Sequence, residues 1–426
     1  MTSISIKSKA IASGVLRDPA AVREQLRESM HHCRLGTLKL FESMDEATFR
    51  CQVHPDFSPV GWHLGHIGFT EGLWLLERGA GMSPLFPQYR QLMAQDGLPK
   101  HQRVKLPPLP EILDYISAVR SQVFESLKTA DLDKQERIWR FILQHESQHT
   151  ETIAFVLQLQ KWAMGKGEEA IANASELPTQ AVPIPAGEFL FGNDGPDALD
   201  NEQSPQRLYL PDYTIDPYPV TCEQYRQFIQ CGGYQTRDWW SNAGWDWLQG
   251  AQVTQPLYWR DEPVFNHHPV CGVSYYEAEA YARFVGKRLP TEAEWEKAAC
   301  WDPVTQTQRI YPWGDEFPTG DRCNHDNHHA QTTPVNRYPE GVSAYGCYDM
   351  MGNVWEWTSS WFAPYPGFQP YPYPGYSQIY FDQQHRVLRG SSWATRPWAM
   401  RGSFRNWYHP WMRQILAGFR CVGGSD

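Results

Sequence analysis

At 426 residues the chain is long enough for two or three domains with cores of their own, and a single small module is excluded. A formal net charge of −10 and a pI near 5.8 argue against nucleic acid or an anionic membrane as partner, because both reward clustered Lys and Arg. The expected partners are small molecules.

The opening stretch MTSISIKSKAIASG lacks the apolar core of a secretion signal, and nowhere does the chain run to the roughly 18 consecutive apolar residues of a membrane span. The nine cysteines are scattered and form no C-x-x-C pair, which fits reduced core cysteine in a cytoplasmic protein. Four helices are then predicted. The first opens at Asp18-Pro19 and runs to about Ser43; the second opens at Ser58-Pro59 and ends before Gly79. The third begins near Pro110 and carries Ile112, Ile116, Val119 and Val123 on one face; the fourth spans Leu132 to Met164. A four-helix bundle packs such elements, and bundles build metal sites from facing helices. Periodicity is lost over Gly165–Gln180, and beyond it come short strands, turns and short helices such as Ser274–Val285 and Thr291–Ala299. The expected organisation is therefore α+β: a helical domain over residues 1–170, a linker over 171–182 and an irregular α+β domain over 183–426.

Chemistry concentrates on the fourth helix, in QHESQHTE (Gln144–Glu151). His145-Glu146-Ser147-Gln148-His149 fits H-E-x-x-H, in which the glutamate of a zinc peptidase is a general base. The same residues also read as two metal-ligating histidines with no committed base. Ile138, Ile142, His145, His149, Thr152, Val156 and Leu159 advance by 4, 3, 4, 3, 4 and 3, so both histidines lie on one inward stripe. Side chains at i and i+4 are roughly 5–6 Å apart at Cβ, suited to sharing one ion. The extended H-x-x-G-x-x-H continuation is absent, and Glu168 or Glu169 as a peptidase ligand would follow the helix end, so the second reading is preferred. A third ligand is expected from the second helix, where helical spacing leaves both His63 and His66 open. The run His325–His329 is expected to be a solvated loop.

Trp62-His63-Leu64-Gly65-His66 together with His145-x3-His149-x-Glu151 resembles the DinB-like helical half of the ergothioneine-type sulfoxide synthases. The segments PVTCEQYRQFI, RLPTEAEWEKAA, GNVWEWTSS, VLRGSSW and GFR are similar to the formylglycine-generating-enzyme fold, a C-type-lectin-like α+β domain. That resemblance covers nearly the whole chain. It implies an O2-dependent enzyme using non-haem Fe(II) to join a thiol sulfur to the imidazole C2 of Nα-trimethylhistidine, leaving a sulfoxide. It also implies His66, with His145 and His149, as metal ligands, and Gln148, Asn406 and Trp407 as substrate-binding residues. The active-site tyrosine it implies is Tyr373 first and Tyr376 second, with Tyr371 and Tyr380 in the same proline-rich stretch. Two departures stand out. Positions that bind γ-glutamylcysteine in the family match Tyr408 and Met412, which carry no charge, so free cysteine is the expected donor, with Arg103 or Arg413 for its carboxylate. The copper-binding cysteines of formylglycine-generating enzymes are missing from the segment GSSWATRPWAMRGSFRNW (Gly390–Trp407), which argues against that activity. A relative forming a C–Se bond from a seleno-sugar and a non-catalytic lectin-like binding protein are the alternatives.

Overall fold

The computed structural model describes residues 18–165, 171 and 177–423, and these group into two compact units that divide between 165 and 171. The opening MTSISIKSKAIASG, Glu168, Glu169 and much of Gly165–Gln180 lie outside the described residues. Within the expected linker, Val182 already begins a strand.

The first unit contains α1 (Pro19–Lys39), α2 (Glu46–Arg50), α3 (Val60–Glu71), α4 (Arg90–Met93), α5 (Leu109–Leu127) and α6 (Leu132–Ala163). α1 packs on α5 and α6, and α3 packs on the same two, which makes the four-helix bundle. Asp18 starts α1 by accepting the Ala20 N–H at 3.0 Å, with Pro19 in the first helical position. The helix stops at Lys39 rather than Ser43, because Asp45 accepts the Thr48 N–H at 2.7 Å and starts α2 as a separate turn. α3 continues as π-helical turns through Gly72–Arg78, so its register shifts before Gly79. On α5, Ile112, Ile116, Val119 and Val123 are all buried. Close approach to α3 depends on its glycines. A Cβ at Gly61 would lie 2.5 Å from the Phe49 ring, and one at Gly65 would lie 2.5 Å from the Met93 sulfur.

The middle of α6 is buried from Trp139 to Ser147, because the helix serves two neighbours rather than one. Ser147 and Thr150 meet Cys33 and Thr37 of α1, while His149 meets His63 of α3. The single inward stripe read from periodicity is therefore one of two buried faces, and Ile138 on that stripe is only half-buried.

In the second unit a four-stranded sheet runs in the order Ala417–Gly418, Trp355–Trp361, Arg386–Arg389, Asn406–Tyr408, the first pair parallel and the others antiparallel. A three-stranded antiparallel sheet pairs Val182–Ile184 and Val422–Gly423 with Tyr213–Ile215, so both ends of the unit are tied into one sheet. The motif segments build this framework. Thr221 with Gln224, Ser274 with Glu277, and Thr291 with Glu294 form capping boxes that start helices Cys222–Gln230, Tyr275–Phe284 and Glu292–Cys300. Glu356 of the central strand accepts from Arg420 at 2.7 and 2.8 Å and from the Trp295 indole at 3.0 Å, all fully buried. The architecture is the α+β pairing expected from the sequence.

Candidate metal centre

α3 and α6 bring three imidazoles together. His145 and His149, one turn apart, have ring centroids 4.4 Å from each other; His66 lies 5.2 Å from the first and 4.7 Å from the second. One nitrogen from each ring can be chosen so that all three lie within 4.8 Å of one another. This is the His/Cys/Asp/Glu cluster of metal-binding geometry found among the described residues. His66 is oriented from behind: its Nδ1 is 2.6 Å from the Met93 carbonyl, so Nδ1 carries the proton and Nε2 keeps its lone pair. The imidazole also stacks on Trp62 at 4.6 Å and 13°, and the Trp62 indole donates to the Leu92 carbonyl at 2.7 Å. Arg103 covers the indole with its guanidinium 4.0 Å from the ring centroid. These supports went unread in the sequence, although Trp62 and His66 are four residues apart on one helix and so share a face.

Burial keeps these imidazoles neutral. It pushes His66 down to about 4 against the opposing effect of the Met93 carbonyl, and it holds His145 and His149 well below the ordinary histidine value, aided by the neighbouring imidazoles. Neutral imidazole is the form that ligates a metal, so the donors are ready at neutral pH. Three imidazole nitrogens without a carboxylate suit a divalent first-row ion such as iron or zinc, and they leave coordination positions for other ligands. The residues fit a resident metal.

The peptidase reading of H-E-x-x-H fails on the position of Glu146. Its carboxylate accepts from Arg34 at 2.7 and 3.2 Å, from Arg120 at 2.6 Å and from Thr37 at 2.9 Å. Burial alone would raise its pKa, but the two guanidiniums win and hold it at about 2. Glu71 of α3 completes the cluster, accepting from Arg34 at 2.8 Å and from Arg120. One residue further along a helix is a rotation of about 100°, so Glu146 faces α1 and α5 while His145 faces α3. Glu146 is a structural ion-pair member.

The remaining sequence-derived candidates fall as follows. Gln148 is half-buried on α6, and its amide donates to the Gln144 carbonyl at 3.3 Å. Arg103 is buried, donating to the carbonyls of Leu98 at 2.8 Å and Gln95 at 2.6 Å and to the Ser58 hydroxyl at 3.0 Å. In the second unit, Arg413 is held by Glu277 at 3.0 and 3.1 Å and also donates to the Gln255 carbonyl. Each guanidinium is thus engaged inside its own unit. Trp407 stacks on Phe362 at 4.2 Å and 8°, with Tyr376 at 5.9 Å and Tyr380 at 5.6 Å completing an aromatic cluster. Asn406 caps the same strand by accepting the Trp407 N–H at 2.9 Å. Tyr376 is buried, whereas Tyr373 is 37% exposed and folds its ring toward Gly375. Met412 is buried and Tyr408 half-buried. The His325–His329 run is only partly the solvated loop expected: His328 is exposed, but His325 is buried with its Nδ1 3.2 Å from the Cys323 carbonyl. No helix among the described residues is long and apolar enough to cross a membrane.

Comparison with known proteins matches residues 167–424 to the Sulfatase-modifying factor enzyme 1-like domain and residues 29–153 to the DinB superfamily. A hercynine oxygenase of Mycobacterium tuberculosis is 40% identical over 94% of this chain and 98% of its own length. Those of Mycolicibacterium thermoresistibile and Mycolicibacterium smegmatis are 40% and 39% identical, covering 95% and 94% of this chain and 96% and 99% of their own lengths. With both halves matched and relatives aligned almost from end to end, the chain belongs to the hercynine oxygenase family, a DinB-superfamily helical domain joined to a Sulfatase-modifying factor enzyme 1-like domain.

Proposed function

We propose that the protein is a non-haem Fe(II), O2-dependent sulfoxide synthase that joins a thiol sulfur to the imidazole C2 of Nα-trimethylhistidine (hercynine), in the biosynthesis of ergothioneine. The observation that carries this reading is the cluster of three neutral imidazoles in a chain whose relatives are hercynine oxygenases. The reaction balances as thiol plus trimethylhistidine plus O2 giving the sulfoxide and water. The S–H and C2–H bonds break, a C–S bond forms, and O2 is reduced, with one oxygen left on sulfur. Bound Fe(II) would supply the electron transfer to O2 that this chemistry requires.

The chain's own residues bind and orient. His66, His145 and His149 are assigned as the metal ligands, and Gln148, next to His149, to the substrate imidazole. Trp407 and Asn406 are assigned to the trimethylammonium end: a permanent cation that donates no hydrogen bond is favoured by aromatic faces. Tyr376 and Tyr373 are the candidate proton donors, since a phenol stays protonated at neutral pH and can deliver a proton within hydrogen-bond reach. The contact of Tyr376 with Trp407 supports Tyr376 over Tyr373, and Tyr380 makes the same kind of contact. Free cysteine is the proposed donor, because Tyr408 and Met412 cannot pair with the extra charged groups of γ-glutamylcysteine. Arg103 and Arg413 are the candidates for its carboxylate, and either would have to exchange an existing partner.

The test is anaerobic loading with Fe(II), followed by oxygen uptake and product mass with trimethylhistidine and each of cysteine, γ-glutamylcysteine and a seleno-sugar. Uptake with cysteine and a sulfoxide product are expected. A preference for the seleno-sugar would make it a C–Se synthase, and no uptake with any donor would leave the binding-protein reading.

A further inference from the structure

We propose that His63 is a positioning residue for this centre: it accepts the Nδ1–H of His149 and so selects the tautomer in which the Nε2 lone pair of His149 is free to bind a divalent ion. The proposal rests on the metal-binding reading above. His63 and His149 meet Nδ1 to Nδ1 at 2.9 Å, so one proton lies between two nitrogens and two arrangements exist. If His63 donates, a neutral His149 carries its other proton on Nε2 and cannot ligate. If His149 donates, its Nε2 is free, and His63 carries its own proton on Nε2.

Nothing on the far side of His63 decides between them. Its Nε2 is buried and has no hydrogen-bond partner among the described residues, and the residue is 7% exposed. Among the described residues no other group competes for the His63 Nδ1 lone pair, so His63 can accept from His149, and an ion on the His149 Nε2 would lock both rings in that arrangement. The ring is kept in place by its edge-on contact with Trp62, at 5.3 Å and 82°. A buried, unpartnered Nε2 is unfavourable, and a group left that way in a native core calls for a functional explanation. The ligands are thus oriented differently: a main-chain oxygen holds His66, and an imidazole nitrogen holds His149. A neutral nitrogen acceptor raises the basicity of its partner less than a carboxylate would.

The experiment is anaerobic titration of the full metal-free chain with Co(II), read by its visible absorption, together with melting of the metal-free protein. His63→Phe removes the acceptor while filling the space. His63→Asn restores an acceptor near the position of Nδ1. His63→Phe should bind Co(II) about 10- to 100-fold more weakly, with little change in metal-free melting, and His63→Asn should recover most of the loss. Should His63→Phe not fold, His63→Leu takes its place in the comparison. Co(II) affinity unchanged in the apolar variant, or lost equally in His63→Asn, overturns the proposal. A wild-type chain that takes up no Co(II) overturns the metal-centre reading itself, and the proposal with it.

Discussion

Replacing Glu146 by glutamine separates its two possible roles, as the base of a hydrolase or as a member of a buried ion-pair cluster. In the structure Arg34, Arg120, Glu71 and Glu146 are each less than 10% exposed, two positive charges against two negative. Glutamine keeps the shape and can still accept from Thr37, but it leaves two guanidiniums facing Glu71 alone. Removing one partner from a buried ion pair costs about 3–5 kcal/mol, because the other charge stays desolvated. For a unit of this size that corresponds to a fall in Tm of roughly 6–20 °C. Circular dichroism melting and urea unfolding of the metal-free chain measure it, with Co(II) titration well below the transition as a check on the centre. Destabilisation with metal binding retained at low temperature is expected. A variant that is fully stable and metal-loaded but inactive would refute the reasoning and return Glu146 to the chemistry.

Acid should destabilise the metal-free chain in a defined window. His63 is pushed down to about 3 and His66 to about 4, chiefly by burial, and His145 and His149 lie well below their ordinary value, so the fold favours neutral imidazole. Their stabilisation is present above the unfolded pKa near 6.5 and is lost as pH falls from there toward about 4, at up to about 1.4 kcal/mol per pH unit for each histidine. Urea unfolding at pH 7, 6 and 5 reads this, and a flat profile would contradict it. Trp407→Leu should raise the KM for trimethylhistidine by about 2- to 30-fold, the equivalent of a cation–π contact of about 0.5–2 kcal/mol, and leave that for the thiol nearly unchanged; equal rises in both would argue for a packing role. Gly65→Ala would put a Cβ 2.5 Å from the Met93 sulfur, so the end of the buried Met93 side chain would have to repack while its carbonyl keeps orienting His66. It should cost about 1–3 kcal/mol in melting of the metal-free chain and leave Co(II) binding nearly unchanged, and a variant that melts like wild type would show that Met93 repacks freely.

Local order was legible in the sequence because it is encoded locally. Asp18-Pro19 starts a helix through its own cap, the apolar spacing of Ile112 to Val123 fixes a buried face, and His145 and His149 share a face by helical pitch alone. The helices at Ser274 and Thr291 were expected for the same reason, and the capping boxes that start them, like the one at Thr221 that went unread, each lie within four residues. What spacing could not decide was which histidine of α3 meets that pair, since His63 and His66 are three residues apart and point to nearly the same side. Packing of α3 against α6, about eighty residues away in the chain, brought His66 into the cluster and set His63 against His149. Tertiary packing likewise turned Glu146 toward Arg34 of α1 and Arg120 of α5 and buried Arg103 over Trp62, and within the second unit it enclosed His325. A sequence records each side chain's chemistry and its angle about its own helix; the partner across the interface is fixed only when the helices pack, and that partner settles whether a buried charge is neutralised or a ring nitrogen is left free.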